Sequence, residues 1–174
     1  MKKIVVLDGK TLGNVEFKAL EEFGEVVYYS TTKAEETAER VKDASIILTN
    51  KVVLNEDNLK GAEKLELICE TATGFNNIDI EYAKKRNIAV TNVAGYSTPT
   101  VAQHTFATAL HLYNKISYYD NYVKSGDYSK SDIFTHLNMP FNDLEGKVWG
   151  IVGLGNIGRR VAKIADAFGC KVVY

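Results

Sequence analysis

The stretch that decides the fold is residues 147–159, which read Lys147-Val148-Trp149-Gly150-Ile151-Val152-Gly153-Leu154-Gly155-Asn156-Ile157-Gly158-Arg159. Apolar residues dominate from Val148 to Val152, which is typical of a buried parallel strand. A helical pattern follows from Arg159 to Phe168, and Gly169 is placed to end that helix. A second strand is predicted from Lys171 to Tyr174. Strand, glycine turn, helix and strand form the context in which a G-x-G-x-x-G pattern predicts dinucleotide binding.

The three glycines of this pattern have different expected roles. Gly153 allows a tight turn off the strand, and Gly155 lets the backbone approach a pyrophosphate because no Cβ intervenes. Gly158 lets the helix pack closely on the strand. The free N–H groups of the first helical turn, which include those of Asn156 and Ile157, would face the anion together with the positive end of the helix dipole. The alternative is a glycine-rich strand-to-helix turn without a ligand.

The type of dinucleotide depends on a residue that the pattern places further along the chain. An acidic side chain is expected about 20 positions on, where it holds the ribose hydroxyls of NAD. The sequence ends at Tyr174, about where that residue should appear. This position therefore does not distinguish NAD from NADP; NAD is the expected cofactor, and NADP stays open. Because natural domains seldom end inside a buried parallel strand, we also expect the chain to be cut short.

Composition excludes several classes of partner. The 174 residues are 45% hydrophobic and 25% charged, with a net charge of −1, as in an ordinary soluble globular protein. No basic stretch predicts nucleic acid, and no apolar run or leader predicts a membrane or export. Cys69 and Cys170 lie in apolar runs, without a C-x-x-C or a metal-binding cluster. Buried free thiols are thus predicted, which suit the cytoplasm.

The first part of the chain alternates short apolar strands with helices. Strands are predicted at Ile4–Leu7, Val26–Tyr29, Ser45–Leu48, Leu65–Cys69 and Ile88–Thr91. Four helices are predicted between these strands. The first covers Val15–Phe23 and is capped by Asn14; the second is capped by Thr31 or Thr32 and ends near Val41. The third is capped by Asn55 and ends at Lys60, and the fourth covers Ile78–Arg86. This alternation predicts an α/β domain with a flavodoxin-like parallel sheet and helices on both faces.

A long helix is predicted from Thr100 to Lys124, and its apolar side is a candidate subunit contact. His104 and His111 are interpreted as polar or packing residues of this helix, and His136 as a solvated residue of the loop 125–142. The chain is therefore divided into a domain at 1–99 and a second part at 100–174, which contains the interdomain helix and the first part of a Rossmann domain.

Three motifs resemble those of a known family in their order and spacing. They are Thr71-Ala72-Thr73-Gly74-Phe75-Asn76-Asn77-Ile78-Asp79, then Val90-Thr91-Asn92-Val93-Ala94-Gly95-Tyr96-Ser97 running into Val101-Ala102-Gln103-His104-Thr105, and finally Leu144-Glu145-Gly146-Lys147 through Gly158-Arg159. The chain resembles the amino-terminal half of the D-isomer-specific 2-hydroxyacid dehydrogenases. Within that family, the Asn-Asn-Ile-Asp segment looks most like the glycerate dehydrogenase (hydroxypyruvate reductase) branch.

The resemblance implies an enzyme that transfers a hydride between nicotinamide and a small 2-hydroxy or 2-oxo acid, of the glycerate, hydroxypyruvate or glyoxylate type. In that family the first domain binds the substrate, the second binds NAD, and the active site lies between them. The substrate carboxylate would bind the backbone N–H groups of Thr73 and Gly74, and Tyr96 and Ser97 would line the cleft. The alternatives are an ordinary strand-to-helix turn with Asn76 or Asn77 as a helix cap, and a hinge loop ahead of the long helix.

The catalytic Arg, Glu and His of this family lie beyond the glycine pattern. None of them is assigned in this sequence, so catalytic residues are expected beyond Tyr174 and the chain is expected to be inactive alone. An incomplete second domain would leave an open strand edge, which predicts a homodimer or another homo-oligomer. The alternative function is a non-catalytic NAD-binding or oligomerising fragment, or a protein that resembles a co-repressor.

Overall fold

The computed structural model describes all 174 residues, which fall into two units, Met1–Ala94 and Gly95–Tyr174. The division lies between Ala94 and Gly95, whereas the sequence pattern placed it at residue 99. The function expected of each part stays a prediction.

The first unit is built on a five-stranded parallel sheet. Its strands are β1 (Lys2–Val6), β2 (Gly24–Tyr28), β3 (Ile46–Thr49), β4 (Leu67–Glu70) and β5 (Ala89–Thr91). The strand order is β2-β1-β3-β4-β5, and every neighbouring pair is parallel. This order is that of flavodoxin-like sheets and confirms the predicted architecture. The core consists of buried aliphatic side chains, among them Val5, Leu7, Val41, Ile47, Leu54, Leu59 and Ile68.

Three helices connect these strands, α1 (Ala34–Val41), α2 (Glu56–Leu59) and α3 (Ile80–Lys85). Asn55 caps α2 as predicted, because its side chain accepts a hydrogen bond from Asn58 N. The cap predicted for α1 was wrong. Neither threonine caps this helix; Thr32 instead donates its hydroxyl hydrogen to the carbonyl of Leu7, and the helix begins after Lys33.

The helix predicted at Val15–Phe23 is also wrong. The segment after β1 contains only the 3-10 turns Gly9–Leu12 and Lys18–Glu22, and Asn14 caps neither of them. Val15 is 55% exposed and Phe23 is 67% exposed, so the segment has no buried apolar face. A short helix depends on such a face for its stability, which explains why the apolar spacing was not sufficient.

The second unit contains three helices and two strands. They are α4 (Thr98–Tyr113), α5 (Ile116–Lys124), β6 (Val148–Gly150), α6 (Asn156–Ala167) and β7 (Lys171–Val173), with a 3-10 turn at Tyr128–Lys130. The single helix predicted at Thr100–Lys124 is therefore two helices. Lys115 separates them because its backbone is left-handed, with φ of 56°. A left-handed residue directly after a helix is a common helix ending.

The two strands of this unit form a parallel pair covered on one face by α4 and α6. Phe106 stacks on Trp149 with ring centroids 4.6 Å apart. The expectation of a fully buried strand was wrong, because Val148 is 66% exposed and Val152 is fully exposed. Alternate residues of a strand point to opposite faces, and only the face that carries Trp149 meets the helices.

The loop 125–142 is irregular apart from its 3-10 turn, but His136 is not solvated as expected. It is half-buried, stacks on Tyr122 with centroids 3.8 Å apart, and shares a 2.6 Å hydrogen bond with the hydroxyl of Tyr118. Both cysteines are free; Cys170 is buried as predicted, and Cys69 is half-buried. None of the helices combines the length and the apolar character needed to cross a membrane.

Candidate functional site

The glycine pattern forms one continuous turn between β6 and α6. Gly153 has φ of +92°, a conformation that side chains other than glycine rarely adopt, and Gly155 occupies the N-cap position of α6. A Cβ atom at Gly158 would lie 2.2 Å from the carbonyl oxygen of Gly153. By contrast, a Cβ at Gly155 would meet no protein atom within 4 Å. The turn therefore packs tightly at Gly158 and is open at Gly155, where a ligand could approach the backbone.

The first turn of α6 presents unused hydrogen-bond donors. The earliest α-helical bond in α6 runs from Arg159 N to Gly155 O, at 2.9 Å. The N–H groups of Asn156, Ile157 and Gly158 precede that bond and donate none within the chain. Together with the positive end of the helix dipole, they form a binding site for an anion such as a pyrophosphate.

A basic cavity of about 340 Å³ adjoins this turn. Its lining includes three cationic side chains, those of Arg159, Arg160 and Lys163, and no acidic one. The guanidinium of Arg159 also stabilises the turn, because it donates to Leu154 O at 3.1 Å and to Asn156 Oδ1 at 2.8 Å. These side chains were not predicted to be part of the site. The sequence could have indicated them, because basic residues lie one, two and five positions after the last glycine of the pattern.

The second candidate region is the loop that follows β4. Thr73 and Gly74 are exposed there, and their N–H groups donate no hydrogen bond within the chain. Two hydrogen bonds join this loop to the segment after β5. Asn92 Nδ2 donates to Thr73 O at 2.7 Å, and Thr73 Oγ1 donates to Val93 O at 3.1 Å. Since the loop leaves the carboxyl end of a parallel strand, it lies where α/β sheets place their ligands. Asn92 belongs to the motif Val90–Ser97, but nothing in the sequence near it indicates that it holds Thr73.

Neither Asn76 nor Asn77 caps α3, so the alternative of a loop with one of them as the helix cap is wrong in this detail. Asp79 caps α3, with its Oδ1 accepting from Tyr82 N at 2.9 Å. Asn77 instead donates from Nδ2 to Glu70 Oε2 at 2.9 Å. Glu70 is 1% exposed, and this burial raises the pKa of its carboxyl group above the ordinary value of 4.5.

Tyr96 and Ser97 belong to the second unit and directly precede α4. Tyr96 is 62% exposed. Ser97 occupies the N-cap position of α4 but makes no hydrogen bond with its side chain there. The neighbouring Thr98 lines the basic cavity together with Asn156. The structure thus gathers the predicted cofactor residues into one turn and places Thr73 and Gly74 in one loop. The carbonyl of Ser97 accepts a hydrogen bond from Val101 N at 2.8 Å, and its side chain stays unbonded at the start of α4.

Two family models match the chain. The catalytic domain of the D-isomer specific 2-hydroxyacid dehydrogenases matches residues 4–121, and the NAD binding domain of the same enzymes matches residues 106–174. The chain belongs to the D-isomer-specific 2-hydroxyacid dehydrogenase family. Its glycine turn lies within the match to the family's NAD-binding domain, and residues 4–94 of its first unit lie within the catalytic-domain match.

Curated relatives and solved structures agree with this membership. The chain is 35% identical to a hydroxypyruvate reductase of Blautia hydrogenotrophica over 98% of its length and 55% of the relative's. It is 38% identical to a glycerate dehydrogenase of Methylorubrum extorquens over 99% of its length and 55% of the relative's. A D-lactate dehydrogenase from Aquifex aeolicus, solved with NAD and lactic acid, matches with a TM-score of 0.80 and 28% identity, over 98% of this chain and 50% of that one. The chain thus spans about half the length of these relatives.

Proposed function

We propose that this chain supplies the dinucleotide-binding turn and the substrate-carboxylate loop of an NAD-dependent oxidoreductase. The reaction is hydride transfer between nicotinamide and a small 2-hydroxy or 2-oxo acid, of the glycerate, hydroxypyruvate or glyoxylate type. The observation that carries the proposal is the turn at Gly153–Gly158, where free N–H groups, an open face at Gly155 and nearby cations converge. The names of the hydroxypyruvate reductase and glycerate dehydrogenase relatives support the substrate class.

The turn fits the pyrophosphate of NAD or NADP in both shape and charge. Asn156 and Ile157 would donate from their backbone N–H groups, while Gly155 allows the approach and Gly153 and Gly158 maintain the turn. The bound nicotinamide would supply the hydride acceptor or donor. The residues of this chain would bind and orient the dinucleotide, and its positively charged cavity would attract the phosphates.

The loop after β4 would bind the carboxylate of the substrate. The N–H groups of Thr73 and Gly74 are free to donate to an anion, and successive backbone N–H groups form such sites elsewhere. Tyr96 and Ser97 are proposed as further residues that contact the substrate. The test is a titration of the chain with hydroxypyruvate or glyoxylate, followed by the backbone amide signals in nuclear magnetic resonance (NMR) spectra. Shifts centred on residues 73 and 74 would support the proposal, and unchanged signals there would refute it.

We also propose that these 174 residues do not turn over substrate alone. The reaction needs an acid/base group, for which histidine is the usual choice near neutral pH. The chain has three histidines, and none lies in the turn or the loop: His104 contacts Thr108, His111 contacts Ser117, and His136 contacts Tyr118. Oxidation of NADH in the presence of hydroxypyruvate, catalysed by this chain alone, would disprove the proposal.

A homodimer or another homo-oligomer is the assembly that we propose. The loop 125–142 exposes large apolar side chains, with Phe134 88% exposed and Leu137 73% exposed. Exposed apolar groups of this size favour association with a protein surface, and a second copy is the partner always present. Light scattering of the chain and of a Phe134→Glu variant tests this. A dimer that the substitution weakens is expected, and a monomer at all concentrations would contradict it.

A further inference from the structure

Glu70 is a buried carboxyl group at the end of β4, and one of its oxygens has no partner. The residue is 1% exposed, and its Oε2 accepts a hydrogen bond from Asn77 Nδ2 at 2.9 Å. Its Oε1 is buried without any hydrogen bond. A buried ionised carboxylate with a single hydrogen bond is costly, whereas a neutral acid is much less so.

Asn77 connects the candidate substrate loop to the body of the sheet. Its Nδ2 donates to Glu70 Oε2 and also to Val52 O, at 3.1 Å, and its backbone carbonyl accepts from Leu54 N at 2.8 Å. The segment after β3 and the end of β4 therefore both hold Asn77. Thr73 and Gly74 lie four and three positions earlier, respectively, in the same loop.

The charged groups near Glu70 do not cancel the effect of burial on the pKa of its carboxyl group. Burial is the largest effect on the pKa of the Glu70 carboxyl group and raises it. The hydrogen bond from Asn77 and the charge of Lys51 lower this pKa, the charge of Asp8 raises it, and the net shift is upward. The carboxylate of Asp8 accepts hydrogen bonds from the N–H groups of Asn50 and Lys51. Neither Asp8 nor Lys51 forms a hydrogen bond with the Glu70 side chain, so Oε1 of an ionised Glu70 would be buried without a donor.

We propose that Glu70, in its neutral form, is a positioning residue that holds Asn77 and thereby fixes the loop 71–79 in the conformation that presents Thr73 and Gly74. The importance of this loop for substrate rests on the function proposed above. When Glu70 loses its proton, the charged group is stabilised by moving toward water, and Asn77 then loses an acceptor. Loop order and carboxylate affinity therefore decrease together as the pH rises.

The direction of the pH dependence follows from proton linkage. The folded state holds the Glu70 proton more tightly than the unfolded state, so the stability from this group is complete below pH 4.5, the ordinary value. It is lost as the pH rises through the higher pKa of the folded state. Between these two pKa values, the equilibrium constant for opening of the loop should increase by up to about tenfold per pH unit.

The experiment measures amide hydrogen exchange of residues 71–79 in the whole chain over a pH series, corrected for intrinsic exchange. The same samples are titrated with malonate as the carboxylate probe. Glu70→Gln keeps the size of the side chain and an acceptor for Asn77 but cannot ionise. Glu66→Gln is the matched control, since Glu66 lies on the same segment and its side chain is 60% exposed in an ion pair with Lys2.

We expect exchange of the loop to accelerate with pH in the wild type and in Glu66→Gln, and to stay flat in Glu70→Gln. The same acceleration in Glu70→Gln, or none in the wild type, would overturn the inference. A direct measurement needs no variant: the side-chain carboxyl carbon of Glu70, followed by NMR, should titrate above pH 4.5, and a midpoint at or below that value would overturn the inference. Another outcome is that amide exchange of the loop changes with pH as Glu70 titrates while malonate does not bind. That result would support the positioning role of Glu70 and contradict the proposed function.

Discussion

A Cβ atom at Gly158 would lie 2.2 Å from the carbonyl oxygen of Gly153, so the backbones of the helix and of the turn are in direct contact. Gly158→Ala must push α6 away from the turn. We expect it to lower the free energy of unfolding of the second unit by about 1–3 kcal/mol, the usual cost of an overpacked site. Urea unfolding followed by the fluorescence of Trp149, the single tryptophan, measures this change.

The control for this substitution is Gly61→Ala, because a Cβ at Gly61 would meet no atom within 4 Å and its φ is not in the left-handed region. This variant should unfold like the wild type. Equal unfolding curves for Gly158→Ala and the wild type would show that the close contact has no energetic consequence.

Gly155→Ala should separate binding from stability. A Cβ at this position meets no protein atom, and its backbone, with φ of −73°, is accessible to alanine. The unfolding curve should therefore stay close to that of the wild type. The methyl group would occupy the space proposed for the pyrophosphate, so NADH affinity measured by calorimetry should decrease by about tenfold or more, a change of about 1.4 kcal/mol. Unchanged affinity would place the ligand elsewhere.

Arg159→Ala tests whether the guanidinium acts by its hydrogen bonds or only by its charge. It removes the bonds to Leu154 O and Asn156 Oδ1, whereas Arg160→Ala removes an equal charge from the same cavity without breaking a bond within the chain. Loss of hydrogen bonds from a charged donor costs about 1.5–3 kcal/mol, so NADH should bind at least about tenfold more weakly to Arg159→Ala. Equal losses in the two variants, both suppressed by salt, would instead indicate a purely electrostatic role.

Lys115→Gly should stabilise the break between α4 and α5. Lys115 has φ of 56°, a conformation that costs an ordinary residue about 1–2 kcal/mol and glycine almost nothing. After allowance for the greater flexibility of glycine in the unfolded chain, a gain of about 0.5–1 kcal/mol is expected. Thermal unfolding measures it, and Lys124→Gly, at the end of α5, is the comparison in which glycine should destabilise. A loss of stability in Lys115→Gly would mean that the lysine side chain is needed.

Local signals in the sequence were sufficient for much of the fold. Strands and helices alternate clearly, Asn55 caps its helix, and the glycine pattern forms the expected turn. The failures arise where the outcome depends on distant packing. Val15–Phe23 has a helical pattern, but none of its side chains is fully buried. His136 is half-buried by tyrosines of a preceding helix.

The candidate sites show the same limit. The glycines and the loop at Thr73 are marked by local sequence, because a turn needs particular residue types at fixed spacing. The bond between Glu70 and Asn77 depends on burial that strand pairing creates, and the bond between Asn92 and Thr73 joins segments 19 positions apart. Nothing in the local pattern indicates either contact.

Binding of the dinucleotide to the turn is tested by a titration of the 174-residue chain with NADH, followed by the backbone amide signals in NMR spectra. Saturable shifts centred on Leu154 to Gly158, absent in Gly155→Ala, are expected if the turn binds the dinucleotide. The contradicting result is a folded chain whose signals at these residues do not change up to about 1 mM NADH. A dissociation constant of about 1 mM corresponds to a binding free energy of only about −4 kcal/mol.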